Sequence, residues 1–180
     1  MIKPENIERE FERKSMEFDA LAIVLQRHID GEELDEEFAR FHDEVLSEYD
    51  CSQCRNCCKK CAGIFTGGEM GRAAKVLGIS KKEFVEKYID KVDDTFLTKE
   101  TPCNFFDMEN NCCKIEECEP NSCKGYPYTN EKGIIYSLDT IVEAASICPV
   151  VFEILERIQE EYTGIKRKPG KKNKKRWREG

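Results

Sequence analysis

The sequence predicts a mainly α-helical fold with irregular, cysteine-rich loops and at most one small β-hairpin. Three observations lead to this prediction. Apolar residues recur at helical spacing near both ends of the chain, and Cys, Asn, Pro and Gly crowd part of the stretch between them. The 180 residues include 11 cysteines. Five of them form a C-x2-C-x2-C-C-x2-C run at Cys51, Cys54, Cys57, Cys58 and Cys61.

Length and composition limit the class of protein. A chain of this length can form one domain with a real core. The cysteines make up about 6 % of the residues, below the roughly 8–10 % of small disulfide scaffolds, and their number is odd. No stretch approaches the ~20 apolar residues of a membrane span, and the N-terminus lacks a signal peptide's apolar core. We therefore expect a soluble, cytoplasmic protein, where clustered cysteines favour metal ligands or redox groups over disulfides.

The net charge of -7 conceals two unlike regions. Residues 166–178 carry nine Lys and Arg and residue 179 is Glu, so this tail holds +8 and residues 1–165 hold -15. An acidic body is not typical of nucleic-acid-binding folds, so any contact with RNA or DNA would belong to the tail. The tail has no apolar periodicity, and residues 165–180 are predicted to be disordered.

Residues 1–50 are predicted to form a helical hairpin. The first helix has one apolar face, formed by Ile7, Phe11, Phe18, Leu21, Leu25 and Ile29. Gly31 is expected to break this helix. The second helix has an apolar face opposite its Asp and Glu residues, formed by Leu34, Phe38, Phe41, Val45 and Tyr49.

Two capping boxes predict short helices after the cysteine run. Thr66 and Glu69 have the spacing in which each side chain bonds the other residue's backbone N–H, and the helix should end near Gly78. Ser80 and Glu83 repeat the pattern before a second helix. Residues 66–91 are thus predicted to be a helical insertion between two groups of cysteines.

The stretch from Thr101 to Tyr128 is loop-like, so we expect metal to stabilise it. Alternating apolar residues at 134–138 give a weak strand signal and support the one small hairpin. Pro149 suits the first turn of a final helix that ends at Gly164. These assignments give three parts: an N-terminal hairpin at 1–50, a cysteine-cluster metal-binding domain at 51–164, and the basic tail at 165–180.

The first three cysteines of the run have the spacing of a bacterial ferredoxin loop, in which a remote Cys-Pro supplies a further ligand. A Cys-Pro pair is present here as Cys148-Pro149. Four thiolates satisfy zinc as well as an Fe–S cluster, so both metals stay open, although the triplet favours iron. Eight ligands can serve two centres, or one centre with spare thiols, and spacing does not decide between them.

Other candidate residues have simpler interpretations. His28 and His42 lie within predicted helices and are interpreted as helix-face residues. Cys61, Cys112 and Cys118 are interpreted as core residues or free thiols. The sequence has no Ser-His-Asp set, P-loop or GxGxxG run, so it shows no conventional catalytic constellation and leaves open whether the protein is an enzyme.

The cysteine pattern resembles the YkgJ-type CxxCxxCC cysteine-cluster family, whose members are described as zinc- or iron-chelating and often as containing an Fe–S cluster. The motif is matched by Cys51, Cys54, Cys57 and Cys58. Further along, Cys103-Asn104-Phe105-Phe106 is similar to a family Cys that precedes two aromatic or apolar residues. The family segment C-x-I-Y-x-x-R-P-x-x-C-R-x-F-P is matched at Cys113, Ile115, Pro120, Cys123 and Pro127.

The resemblance implies eight metal ligands, namely Cys51, Cys54, Cys57, Cys58, Cys103, Cys113, Cys123 and Cys148. Glu116 stands where the family has Tyr, and Glu119 stands where it has Arg. Any anion contact made by that Arg therefore does not carry over, whereas the metal ligands do.

The leading hypothesis is a metal-binding protein that holds an iron–sulfur cluster or zinc through these cysteines, with a structural or electron-transfer role and an unidentified protein or redox partner. A second hypothesis is a metal-dependent methyltransferase or redox enzyme, because some flagellin lysine N-methylases carry a similar cysteine pattern. A third is a zinc-organised interaction module whose basic tail contacts nucleic acid.

Overall fold

A computed structural model describes residues 1–164, and the predictions for the basic tail at 165–180 lie outside this range. The described chain is mostly helical with two small antiparallel sheets, which confirms the predicted mainly α fold. The α-helices are α1 (Ile7–His28), α2 (Gly31–Glu48), α3 (Cys51–Cys54), α4 (Asn56–Lys60), α5 (Gly67–Val76), α6 (Lys81–Tyr88), α7 (Asn121–Lys124), α8 (Leu138–Ala144) and α9 (Pro149–Thr163). None of the helices in this range combines the length and apolar character needed to cross a membrane.

The strands form two sheets. They are β1 (Ile64–Phe65), β2 (Ile89–Val92), β3 (Thr95–Thr98), β4 (Phe106–Asp107) and β5 (Cys112–Cys113). In the first sheet the order is β1-β3-β2, and β4 pairs with β5 in the second. Short 3-10 helices occur at Pro4–Asn6, Glu116–Cys118 and Ile134–Tyr136.

The larger apolar core lies among α1, α2, α8 and α9. Both N-terminal helices pack against α9, and α1 also contacts α8. The rings of Phe18 and Phe152 meet edge to face with centroids 5.1 Å apart. The N-terminal helices therefore share a single core with the C-terminal helices.

The break between α1 and α2 falls before the position predicted for it. Asp30 is the N-cap of α2, and its Oδ1 accepts a hydrogen bond of 2.9 Å from the backbone N of Glu32. Gly31 is consequently the first residue of α2, so the prediction that Gly31 breaks the helix is wrong by two residues. The cap at Asp30 defines the start of α2 because it satisfies a free backbone N–H.

A second, smaller core lies under α5, α6 and the first sheet. Both predicted capping boxes are present, at Thr66 with Glu69 and at Ser80 with Glu83. The rings of Phe84 and Phe105 stack with centroids 5.5 Å apart. This core holds the helical insertion against the loop that carries the later cysteines.

The strand predicted at 134–138 is wrong. Ile134–Tyr136 is a 3-10 turn, and Leu138 begins α8. The carboxylate of Asp35 accepts hydrogen bonds from the backbone N of Gly133 and Ile134, at 2.8 and 2.9 Å, and this contact between distant residues fixes the turn. Antiparallel pairs lie instead at β2–β3 and β4–β5, so the chain has more than the one hairpin that was predicted. The insertion predicted as helical over 66–91 is helical only to Tyr88.

Candidate metal centre

One cavity of about 460 Å³ gathers most of the cysteines. All eight predicted ligands line it together with Cys61, whereas Cys112 and Cys118 do not. The cavity lies between the two cores: Cys148 belongs to the larger core, and Cys103 and Cys113 pack against the smaller one. Their assignment as metal ligands stays a prediction, but they share one location.

The cysteine run folds into two short helices joined by a left-handed residue. Asp50 caps α3 by accepting a 2.8 Å hydrogen bond from the backbone N of Ser52. Arg55 has a φ of 48°, in the region that non-glycine residues seldom adopt. This conformation ends α3 and begins α4, so cysteines from both helices line the same cavity.

Cys148 is positioned by the segment between the cysteines of the run. The buried side chain of Asn56 donates a 2.6 Å hydrogen bond from Nδ2 to the carbonyl oxygen of Ile147. Cys148 follows as the N-cap of α9, with Pro149 at the first helical position as predicted. A residue about 90 positions from the run is thereby held beside it.

Cys103 and Cys113 reach the cavity from the opposite side. The backbone N of Cys103 donates a 2.9 Å hydrogen bond to the carbonyl oxygen of Cys58. In the β4–β5 pair, Cys113 lies opposite Phe106. Because side chains alternate along a strand, the adjacent Cys112 is directed to the other face, and it does not line the cavity.

Cys123 is held through hydrogen bonds of the residues just before it. The hydroxyl of Ser122 accepts from the backbone N of Ile64 at 3.0 Å and donates to the carbonyl oxygen of Ile64 at 2.8 Å. Glu69 completes the support, because its Oε1 accepts a 2.9 Å hydrogen bond from the backbone N of Asn121. The α5 capping box thus also positions α7, which carries Cys123.

Burial affects the protonation of these thiols. It raises the pKa of Cys51 and of Cys113 to about 11, and that of Cys123 and of Cys148 to about 12. For Cys58, a hydrogen bond with the thiol of Cys57 raises the pKa first and burial adds to it. These thiols are therefore protonated at neutral pH in the metal-free protein, and metal binding must release their protons.

The donor set matches the chemistry of zinc and of iron–sulfur clusters, both of which take thiolate ligands. Within residues 1–164, however, no three Cys, His, Asp or Glu side chains are already arranged to hold a metal ion. His28 and His42 are outside the cavity, and His42 instead lies 2.8 Å from the Thr129 hydroxyl through its Nδ1.

The sequence-based reasoning missed two tyrosines of the cavity, Tyr49 and Tyr126. Among the described residues, the Tyr126 hydroxyl is the one buried side-chain polar atom without a hydrogen-bond partner. Burial, and then the neighbouring Cys148, raise the pKa of Tyr126. Burial and a hydrogen bond with Cys54 raise the pKa of Tyr49. Tyr49 is hidden in the sequence because it extends the apolar face of the second helix.

Two glutamates near the cavity occupy the positions where the chain departs from its family pattern. Glu116 forms an ion pair with Arg55, which links the cysteine run to the later loop. Glu119 lines the cavity, and burial raises its pKa while Arg55 lowers it. Arg55 therefore places a positive charge beside the thiols even though residue 119 is not Arg.

Comparison with known proteins identifies the domain. The family model CxxCxxCC, described as "Putative zinc- or iron-chelating domain", matches residues 50–149, which include all eight predicted ligands. No curated protein and no solved structure gives a significant match. Because the match covers more than half of the chain, the chain belongs to the CxxCxxCC family, and all eight predicted ligands within the match line one cavity.

Proposed function

We propose that this protein binds an iron–sulfur cluster through its cysteine cavity and transfers electrons to or from a partner protein. The observation that carries this proposal is that Cys51, Cys54 and Cys57 line the same cavity as Cys148, which precedes Pro149. This is the combination by which bacterial ferredoxins hold a cluster, three cysteines from one loop and one from a distant Cys-Pro.

Zinc is the second candidate, since four thiolates satisfy it and the family description includes it. A structural zinc site typically combines two short Cys pairs or adds His. In the described cavity, the C-x2-C spacing is confined to residues 51–61, and neither His lines it. The ligand pattern therefore favours iron.

The position of the thiols supports electron transfer rather than a purely structural role. Cys51 and Cys123 are exposed, whereas Cys148 is buried. A centre held by such ligands would extend from the apolar interior to the surface, where a partner protein can exchange electrons with it. The net charge of -15 over residues 1–165 suits a partner with a positively charged docking face.

The proposal is tested by purifying the full chain without oxygen and measuring iron, acid-labile sulfide and zinc. We expect a brown protein with about equal iron and sulfide and with visible charge-transfer absorbance that dithionite bleaches reversibly. A colourless protein that contains zinc would replace the iron–sulfur proposal with the structural zinc site. Less than about one metal ion per chain would contradict metal binding through this cavity.

The adjacent residues Cys112 and Cys113 provide a matched control. Both are partly buried and both lie in β5, but only Cys113 lines the cavity. Cys113→Ser should lose part of the iron and of the visible absorbance, whereas Cys112→Ser should keep both in full. Equal losses in the two variants would mean that the cavity does not define the ligand set.

A further inference from the structure

The cysteines of the cavity fall into two groups, one beside each of the two apolar cores. This separation bears on how many centres the protein holds, and the inference rests on the proposed metal-binding function. Cys148, Tyr49 and Tyr126 belong to or pack against the larger core. Cys103 and Cys113 pack against the smaller core. The cavity thus has two walls, and each wall carries thiols.

On the wall of the larger core, Cys148 is grouped with the first part of the run. The hydrogen bond from Asn56 to Ile147 holds the two segments together. Cys51 and Cys54 are the thiols that act electrostatically on Cys148. After burial, the thiols of Cys54, Cys148 and Cys51 raise the pKa of Tyr49, which places its hydroxyl near all three. These contacts define one neighbourhood around three thiols.

On the wall of the smaller core, the thiols are grouped around Cys58. Its carbonyl oxygen accepts the hydrogen bond from the backbone of Cys103. Cys103 and Cys58 are also the thiols that act electrostatically on both Cys113 and Cys123. These four thiols form a second neighbourhood, with Cys123 next to Gly63 at the start of the first sheet.

The adjacent pair Cys57 and Cys58 lies at the boundary between the two neighbourhoods. Consecutive residues of a helix point about 100° apart, so neighbouring side chains can take part in different groups even where their thiols interact, as those of Cys57 and Cys58 do. Cys57 follows Asn56, whose side chain bonds Ile147 next to Cys148, so Cys57 belongs with the larger core. Tyr126 lies near Cys148, Cys61 and Cys57. In two-cluster ferredoxins, different cysteines of one run likewise serve different clusters.

We propose that the eight cysteines form two four-thiolate metal centres: set A, with Cys51, Cys54, Cys57 and Cys148, and set B, with Cys58, Cys103, Cys113 and Cys123. Four thiolates complete a tetrahedral zinc site and equally complete the protein ligands of a common iron–sulfur cluster. Set A alone has the ferredoxin spacing with the remote Cys-Pro. Set B is assembled from separate segments by the β4–β5 pair and α7. Cys61 is outside both sets.

The test compares metal content in double variants of the full-length, anaerobically purified protein. Cys51→Ser/Cys54→Ser removes half of set A, and Cys113→Ser/Cys123→Ser removes half of set B. Each should lose about half of the metal of the unmodified protein, and the spectra of the two remaining centres should sum to the original spectrum. Cys112→Ser and Cys61→Ser are the controls and should retain all of it. Complete metal loss in both folded double variants would mean a single shared centre and would overturn the division.

A second measurement uses the unmodified protein, so that an unfolded variant cannot mimic a single centre. Metal is removed stepwise with a chelator, freed thiols are alkylated without oxygen, and the labelled cysteines are identified by mass spectrometry. When about half of the metal is gone, the labels should fall mainly in one set. Uniform labelling of both sets at every stage, in chains that each carry some metal, would contradict two centres. Absence of metal from the unmodified protein would instead contradict the proposed function.

Discussion

The helical core and the cysteine cavity of this molecule differ in how much apolar side-chain surface they bury. The core among α1, α2, α8 and α9 contains fully buried large side chains such as Phe18, Leu25 and Phe38. The cavity is lined by segments of four or five residues, such as α3, α4 and α7, whose thiols are mostly half-buried. Helices this short are unstable without tertiary support. Hydrophobic burial therefore suffices for one region, whereas the short segments of the other are held by hydrogen bonds between them and, under the proposed function, by ligand bonds.

The largest expected effect is that of metal removal. Chelation should raise hydrogen exchange in residues 51–61 and 103–125 by about 100-fold or more, because the binding free energy of a metal that binds only the folded site adds to local stability. Exchange in α1, α2 and α9 should change much less. Hydrogen-exchange mass spectrometry with and without chelator measures both regions, and equal changes would show that the two regions are not stabilised separately.

Core truncation should distinguish the two regions next. Phe38→Ala, in the larger core, should lower the free energy of unfolding by about 3–5 kcal/mol and leave metal content unchanged in the folded protein. Phe84→Ala should also reduce metal retention, since Phe84 stacks on Phe105 in the segment after Cys103. Urea denaturation gives the free energy of unfolding of the two variants, and metal analysis gives their metal content. Phe38→Leu and Phe84→Leu, which keep more of the volume, are the controls and should show smaller effects.

A smaller effect is expected at the capping box that supports the cavity. Glu69 is 2 % exposed and accepts hydrogen bonds from Thr66 and from the backbone of Asn121, so Glu69→Ala should cost about 1–3 kcal/mol. Glu83 forms the other capping box but is exposed, so Glu83→Ala should cost less. Thermal unfolding gives the stabilities. The accessibility of Cys123 to a thiol reagent should rise only in Glu69→Ala. An equal rise in Glu69→Ala and Glu83→Ala would show that Glu69 does not position α7.

The smallest expected effect is a pH dependence of stability at the hydrogen bond between His42 of the helical core and Thr129 in the loop after Cys123. Burial lowers the pKa of His42, against the opposing effect of Asp43. The unfolded chain therefore binds this proton more readily than the folded chain. The free energy of unfolding is highest above about pH 6.5, the ordinary pKa of His, and it falls as the pH drops from there through the lower pKa of the folded state. The melting temperature of His42→Gln should decline less than that of the unmodified protein between about pH 7 and 5.

Local signals made much of this fold predictable. The capping boxes at Thr66 and Ser80, and Pro149 at the start of the final helix, act between residues a few positions apart, and all three are present. The strand signal at 134–138 failed because its alternation was short and Asp35, about 100 residues away, fixes a turn there. The hairpin at β2–β3 was missed because the apolar pattern of α6 continues into β2.

The sequence by itself determined the longer helices, α1, α2, α5, α6 and α9, together with the family and the candidate thiols, because periodicity, caps and cysteine spacing are properties of neighbouring residues. Only the tertiary structure decided which thiols share a cavity, that Cys112 is outside it, and that the Tyr126 hydroxyl is buried beside Cys148. These outcomes depend on contacts such as that of Asn56 with Ile147, which join residues far apart in the chain. Such contacts form between the two cores, and the order of neighbouring residues does not predict them.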